Sequence, residues 1–119
     1  VGTPYAPDWS GAVLVIEDVA EAPYRVDRML AHLQHAGVLD AVAGVVLGAF
    51  SPGDDDHEPT LSLDTIFRDY LADRPYPVAD GLPYGHLLPR CSLPIGVPVR
   101  LSVGGEGAHL SALAPVVAA

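Results

Sequence analysis

The chain has 119 residues, half of them apolar and 18% charged, which excludes a disordered tail and suits one domain with one buried core. Its formal charge is −9, with six arginines and no lysine, so it lacks the basic patch that nucleic acid or an anionic membrane would require. No apolar run approaches the roughly 20 residues of a membrane helix, no signal peptide is visible, and the single cysteine, Cys91, excludes an internal disulfide and makes the cytosol the default compartment.

Residues 1–11, "VGTPYAPDWSG", are rich in proline and glycine and read as an incoming linker. The chain starts at Val1 without Met, which we read as a fragment or a processed product able to hold only part of a functional site. "AVLVIE" at 12–17 is continuously apolar up to its carboxylate, the pattern of a strand buried on both faces. Pro23 suits the first turn of a helix, and Val26, Met29, Leu30 and Leu33 follow at helical spacing until Gly37 stops it. "AGVVLGAF" at 43–50 reads as a second buried strand, so the three elements predict a parallel β-α-β unit with the 23–36 helix packed across neighbouring strands.

"SPGDDDHEP" at 51–59 reads as a solvated loop. "SLDTIFRDYLAD" at 62–73 predicts a second helix, capped by Ser62 and presenting Ile66, Phe67, Tyr70 and Leu71 on one face. Four prolines and three glycines between 76 and 96 predict a short strand and an irregular loop of the kind that carries functional residues. The remainder alternates around "GGEG" at 104–107 and predicts a hairpin. The fold class is α/β.

Five places offer chemistry. Glu17 and Asp18 close a buried strand, where open α/β sheets collect functional side chains. Alternatively, one carboxylate caps the next helix and the other is merely solvated. His86, in a loop stiffened by glycine and proline, is a candidate general base or a structural histidine. Cys91 with His86 would make a thiol nucleophile and base, but no cysteine-nucleophile pattern surrounds it. "DDDHE" at 54–58 mixes oxygen and imidazole ligands without the spaced calcium-loop pattern or a second ligand cluster, so no metal is expected. "GGEG" is not followed by a helix pattern and is therefore a turn, not a phosphate loop. No serine sits in a G-x-S-x-G elbow. The local chemistry thus offers an acid and a base, and no nucleophile.

Three segments, "VLVIEDVAEAPYRVDRMLAHLQHAGVL", "AGVVLGAF" and "YGHLLPRCSLPIGVPVRL", match in order and spacing a known pattern that covers about Gly11 to Leu110. In them the chain resembles the C-terminal domain of the LD-carboxypeptidase family, serine peptidases that include muramoyltetrapeptide carboxypeptidase and the microcin C self-immunity peptidase. The resemblance implies a swivelling β/β/α domain, a small mixed sheet with two helices, at 12–119, with 1–11 linking it to an N-terminal domain. It implies a Ser–His–Glu triad whose glutamate falls on Glu17 and whose histidine falls on His86. The serine and the oxyanion hole would belong to the N-terminal domain, which accounts for the missing nucleophile.

Under this resemblance His86 would take the serine proton and pass it to the leaving amine, while Glu17 orients the ring and stabilises the imidazolium. Asp18 and Glu21 are better placed for capping or for pairing with Arg25 or Arg28. The implied activity is removal of the terminal D-alanine from cytosolic murein tetrapeptide at its L-to-D bond, without a cofactor, by a homodimeric full-length enzyme. The microcin C-type cleavage of a peptidyl-nucleotide is the alternative within the family; a non-catalytic scaffold or dimerisation module, or a degenerate binding module, are the alternatives outside it. Retention of both Glu17 and His86 counts against a degenerate module. Two structural expectations follow: the pair lies within hydrogen-bond reach although 69 positions separate it, and apolar side chains are exposed on the surface His86 faces.

Overall fold

The structure is a computed structural model and describes residues 1–52 and 61–116. The acidic 54–58 run considered above as a metal ligand set lies outside the described residues. Strand β1 (Val13–Glu21), helix α1 (Pro23–His35), a short helix α2 (Val38–Ala41) and strand β2 (Gly44–Pro52) follow one another. They are succeeded by helix α3 (Leu63–Leu71), a two-residue strand β3 (Val78–Ala79) and the hairpin strands β4 (Val99–Gly104) and β5 (Gly107–Ala112). The expected α/β architecture is present, with both strand senses: β1-β2-β3 form a parallel sheet and β4-β5 an antiparallel pair.

The β1-β2 register places Leu14 opposite Val45 and Ile16 opposite Leu47. These side chains share the face on which α1 and α3 pack, because residues two apart in a strand project to the same side. Val26 and Leu30 of α1 and Ile66 of α3 are buried there, with Phe50 and Phe67 in edge-to-face contact at 4.9 Å between ring centres. Each aliphatic side chain buried in this way stabilises the fold by roughly 1.5–3 kcal/mol. Tyr70 ties the two helices together, its hydroxyl donating to Asp27 Oδ1 at 2.9 Å. Ser62 caps α3 as anticipated, accepting from the Thr65 N–H at 3.1 Å.

Gly37 ends α1 in a left-handed conformation (φ 74°), and the chain turns at once into α2, whose Val38 and Leu39 are almost fully buried. The Leu39 carbonyl accepts from the Tyr76 hydroxyl at 2.8 Å, and Arg74 bridges the Asp40 carboxylate and the Tyr70 carbonyl. Those bonds hold the segment leading to β3 against the end of the helical layer. At the other end, Trp9 packs on the core and the Gly11 N–H donates to the Ala41 carbonyl at 3.0 Å.

Three expectations need correction. Met29 is 41% exposed rather than buried, because among the described residues β1 is an edge strand and the sheet does not extend beneath that flank of α1. β1 is only half-buried: Val13 and Val15 line an open apolar groove of about 460 Å³ with Leu93, Ile95, Val99 and Leu110. Finally, β1 does not stop at Glu17 but runs on to Glu21 through two irregularities in its pairing.

Candidate active site

The first irregularity positions Glu17. Between the pairs Ile16–Leu47 and Asp18–Phe50, β1 advances two residues while β2 advances three. The extra residue falls at Gly48–Ala49, and such a bulge re-aims neighbouring side chains. The second lies between Asp18–Phe50 and Glu21–Pro52, where β1 carries the surplus and Ala20 takes a positive φ of 58°. Its N–H is held by Ser51 Oγ at 3.0 Å.

Beyond β3 the chain runs alongside β2 without forming a regular strand. The Leu82 N–H donates to the Leu47 carbonyl at 3.2 Å and the Ala49 N–H to the Tyr84 carbonyl at 2.8 Å. These two bonds lay residues 82–84 on the bulged part of β2 and deliver Gly85 and His86 over Glu17. The result is a hydrogen bond between His86 Nδ1 and Glu17 Oε2 at 3.0 Å. The Glu17 side chain is 23% exposed and that of His86 is 61% exposed. A carboxylate can only accept here, so Nδ1 carries the proton, and in the neutral ring Nε2 is the acceptor, turned away from Glu17. Such a pair can remove a proton from an approaching hydroxyl and stabilise the imidazolium that results.

The other candidates separate cleanly. Asp18 accepts the N–H of Val19 at 2.7 Å, and Glu21 pairs with Arg25 at 3.2 Å. Neither carboxylate caps α1, whose N-cap Ala22 has no side-chain partner. Cys91 is exposed and, among the described residues, makes no hydrogen bond with His86 through its thiol; its N–H donates to the Pro83 carbonyl at 2.6 Å. "GGEG" is the turn of the β4-β5 hairpin, Gly104 opposite Gly107. Beside His86 the surface is apolar, with Leu87 48% and Leu88 80% exposed.

Sequence reasoning gave two residues at this site, Gly48 and Gly85, no role against Glu17. A Cβ built on Gly48 would lie 2.8 Å from the Tyr84 carbonyl oxygen and 3.1 Å from Glu17 Cβ. One built on Gly85, whose φ is 120°, would lie 2.6 Å from Glu17 Oε2. A glycine inside a strand pattern marks a bulge or a close approach, and Gly48 in "VVLGAF" carried that signal.

With this geometry in view, the comparisons with known proteins are specific. Residues 1–101 match the sequence profile of the LD-carboxypeptidase C-terminal domain. A Synechocystis sp. protein provisionally named a carboxypeptidase is 38% identical over 114 residues, covering 95% of this chain and 37% of its own length. The crystal structure of muramoyltetrapeptide carboxypeptidase from Oxalobacter formigenes superposes with a TM-score of 0.81 at 33% identity, over 93% of this chain and 39% of that one. The microcin C7 self immunity protein MccF superposes with a TM-score of 0.70 at 25% identity, over 87% of this chain and 30% of that one. The chain thus spans well under half the length of the relatives it matches. Fold, profile and sequence identity agree, and the chain belongs to the LD-carboxypeptidase family, whose C-terminal domain it matches.

Proposed function

We propose that this domain supplies the histidine and the glutamate of a Ser–His–Glu triad, and that the serine and the oxyanion hole come from an N-terminal domain joined through residues 1–11. The observation that supports this reading is the 3.0 Å bond between His86 Nδ1 and Glu17 Oε2. Glu17 holds the ring in the tautomer whose Nε2 accepts a proton. Nε2 takes the hydroxyl proton as the serine oxygen attacks the scissile carbonyl, and the tetrahedral intermediate's charge rests on donors of the other domain. The imidazolium then protonates the leaving amine as the C–N bond breaks, and a water activated by the same Nε2 hydrolyses the acyl-enzyme ester, freeing the shortened peptide and the serine. Exposed Leu87 and Leu88 beside His86 suit a surface covered by that second domain.

The substrate we assign is murein tetrapeptide, cleaved at its L-to-D bond to release the terminal D-alanine, in keeping with the muramoyltetrapeptide carboxypeptidase it resembles. The same resemblance carries the cytosolic setting and the homodimeric full-length enzyme. The likeness to MccF favours peptidyl-nucleotide cleavage as the second reading, at lower identity and TM-score. The test is D-alanine release by the full-length protein, N-terminal domain included. Wild type should turn over tetrapeptide, His86→Ala should lose at least about a thousandfold in kcat, and the 119-residue chain alone should be inactive. Substantial activity from the chain alone, or from His86→Ala, overturns the assignment. A higher kcat/KM for a peptidyl-nucleotide would transfer the substrate, but not the residues, to the second reading.

A further inference from the structure

Gly48 and Gly85 reach Glu17 from two separate elements, a bulged strand and an irregular loop. Around Gly48, both nearest neighbours of an added methyl would be unyielding: a backbone oxygen of Tyr84 at 2.8 Å and the first side-chain carbon of Glu17 at 3.1 Å. Tyr84 cannot retreat freely, since its carbonyl is fixed by the Ala49 N–H at 2.8 Å. Around Gly85 the methyl would meet Oε2 of Glu17 at 2.6 Å, with Cδ at 3.2 Å and Cβ at 3.3 Å. Oε2 is the atom bonded to His86. Real Cβ atoms do not approach so closely, so a side chain at 85 must move the carboxylate, and one at 48 must lift the segment that carries His86.

We infer that Gly48 and Gly85 are positioning residues for the His86–Glu17 pair: their missing side chains set the gap in which the carboxylate meets the imidazole. This rests on the triad reading above. Misplacing a catalytic group by about 1 Å costs on the order of a hundredfold in rate. Gly48→Ala and Gly85→Ala should therefore each lose about that factor in kcat while KM changes little, because neither glycine need touch substrate to do this.

Two controls separate alignment from folding. Gly37 also has a positive φ (74°), but a methyl placed on it would have nothing within 4 Å, so Gly37→Ala introduces left-handed backbone strain away from the site. It should lower the melting temperature and leave kcat within about twofold. The second readout is the ¹⁵N spectrum of His86 in full-length protein labelled at histidine. Wild type should show the proton on Nδ1, and the two site variants should shift it toward Nε2, since the tautomer follows the bond at the other nitrogen.

The inference is upheld by a folded Gly85→Ala or Gly48→Ala with reduced kcat and a shifted tautomer. It is overturned if both keep the wild-type tautomer and kcat while His86→Ala is inactive, a result that leaves the triad reading standing. If His86→Ala remains active, the triad reading itself fails. Should Gly85→Ala not fold, Gly48→Ala, whose backbone needs no positive φ, decides alone. Failure of both to fold while Gly37→Ala folds would make the glycines a requirement of folding rather than of alignment, and would also overturn the inference.

Discussion

Replacing Glu17 by glutamine keeps the side chain's size and removes its charge. The amide can still offer its oxygen to Nδ1–H, but it can equally offer its NH₂ to an unprotonated Nδ1, so the productive tautomer is no longer enforced. The electrostatic part follows from the 3.0 Å separation. A carboxylate at that distance stabilises an imidazolium by about 5.5 kcal/mol at an effective dielectric of 20, and by about 1.4 kcal/mol in bulk water. The His86 side chain is 61% exposed in this domain, which pulls the value toward water, whereas a second domain closing over the ring would pull it back. An intermediate loss of about 3–4 kcal/mol corresponds to roughly a 10²–10³-fold fall in kcat. The assay is D-alanine release by full-length Glu17→Gln under saturating tetrapeptide, with circular dichroism to verify the fold. A folded variant within threefold of wild type would refute the role given to Glu17.

Other outcomes follow from the same geometry. Cys91→Ser should retain activity within about threefold, since its thiol makes no bond to His86; a loss near the thousandfold scale of catalytic groups would restore the thiol as nucleophile. Tyr70→Phe should lower stability by about 1–2 kcal/mol in urea unfolding, as expected for a part-buried hydrogen bond to a carboxylate, with kcat unchanged. Burial, then the Asp27 bond, raise the Tyr70 hydroxyl's pKa above its ordinary value of 10.0. The folded state therefore favours the protonated phenol, and its contribution is intact below pH 10 and is lost as pH rises beyond it. Stability of Tyr70→Phe should fall less steeply than wild type above that point. Dialysis against a chelator should leave D-alanine release unchanged, because the proposed nucleophile is activated by His86; abolished activity that returns with a divalent ion would contradict this.

Much of the scaffold was legible because its signals are local. The runs at 13–16 and 44–47 are continuous and apolar, and Val26, Leu30 and Leu33 recur at the helical period, so strand, helix and strand could be placed within a few residues. Met29 shares that period and is nevertheless exposed: periodicity defines a face of the helix but not how far the sheet extends beneath it. The apolar pattern of β1 likewise shows that Val13 and Val15 require cover without showing what supplies it. Glu17 could not be chosen over Asp18 from spacing alone. The choice depends on a bulge created by an extra residue in β2 and on a partner 69 positions away, neither of which leaves a trace in "VIEDV". The family resemblance supplied that selection, and the two glycines at the contact are the local record of it.

The central claim is that His86 presents Nε2 to a serine outside this domain. A crystal structure of the full-length enzyme measures that distance directly. The account predicts a serine Oγ of the N-terminal domain within roughly 2.6–3.2 Å of His86 Nε2, or slightly farther without substrate, with the Glu17 bond at Nδ1 intact. An N-terminal domain docked on another face, leaving Nε2 of His86 with no serine hydroxyl in reach, would contradict it.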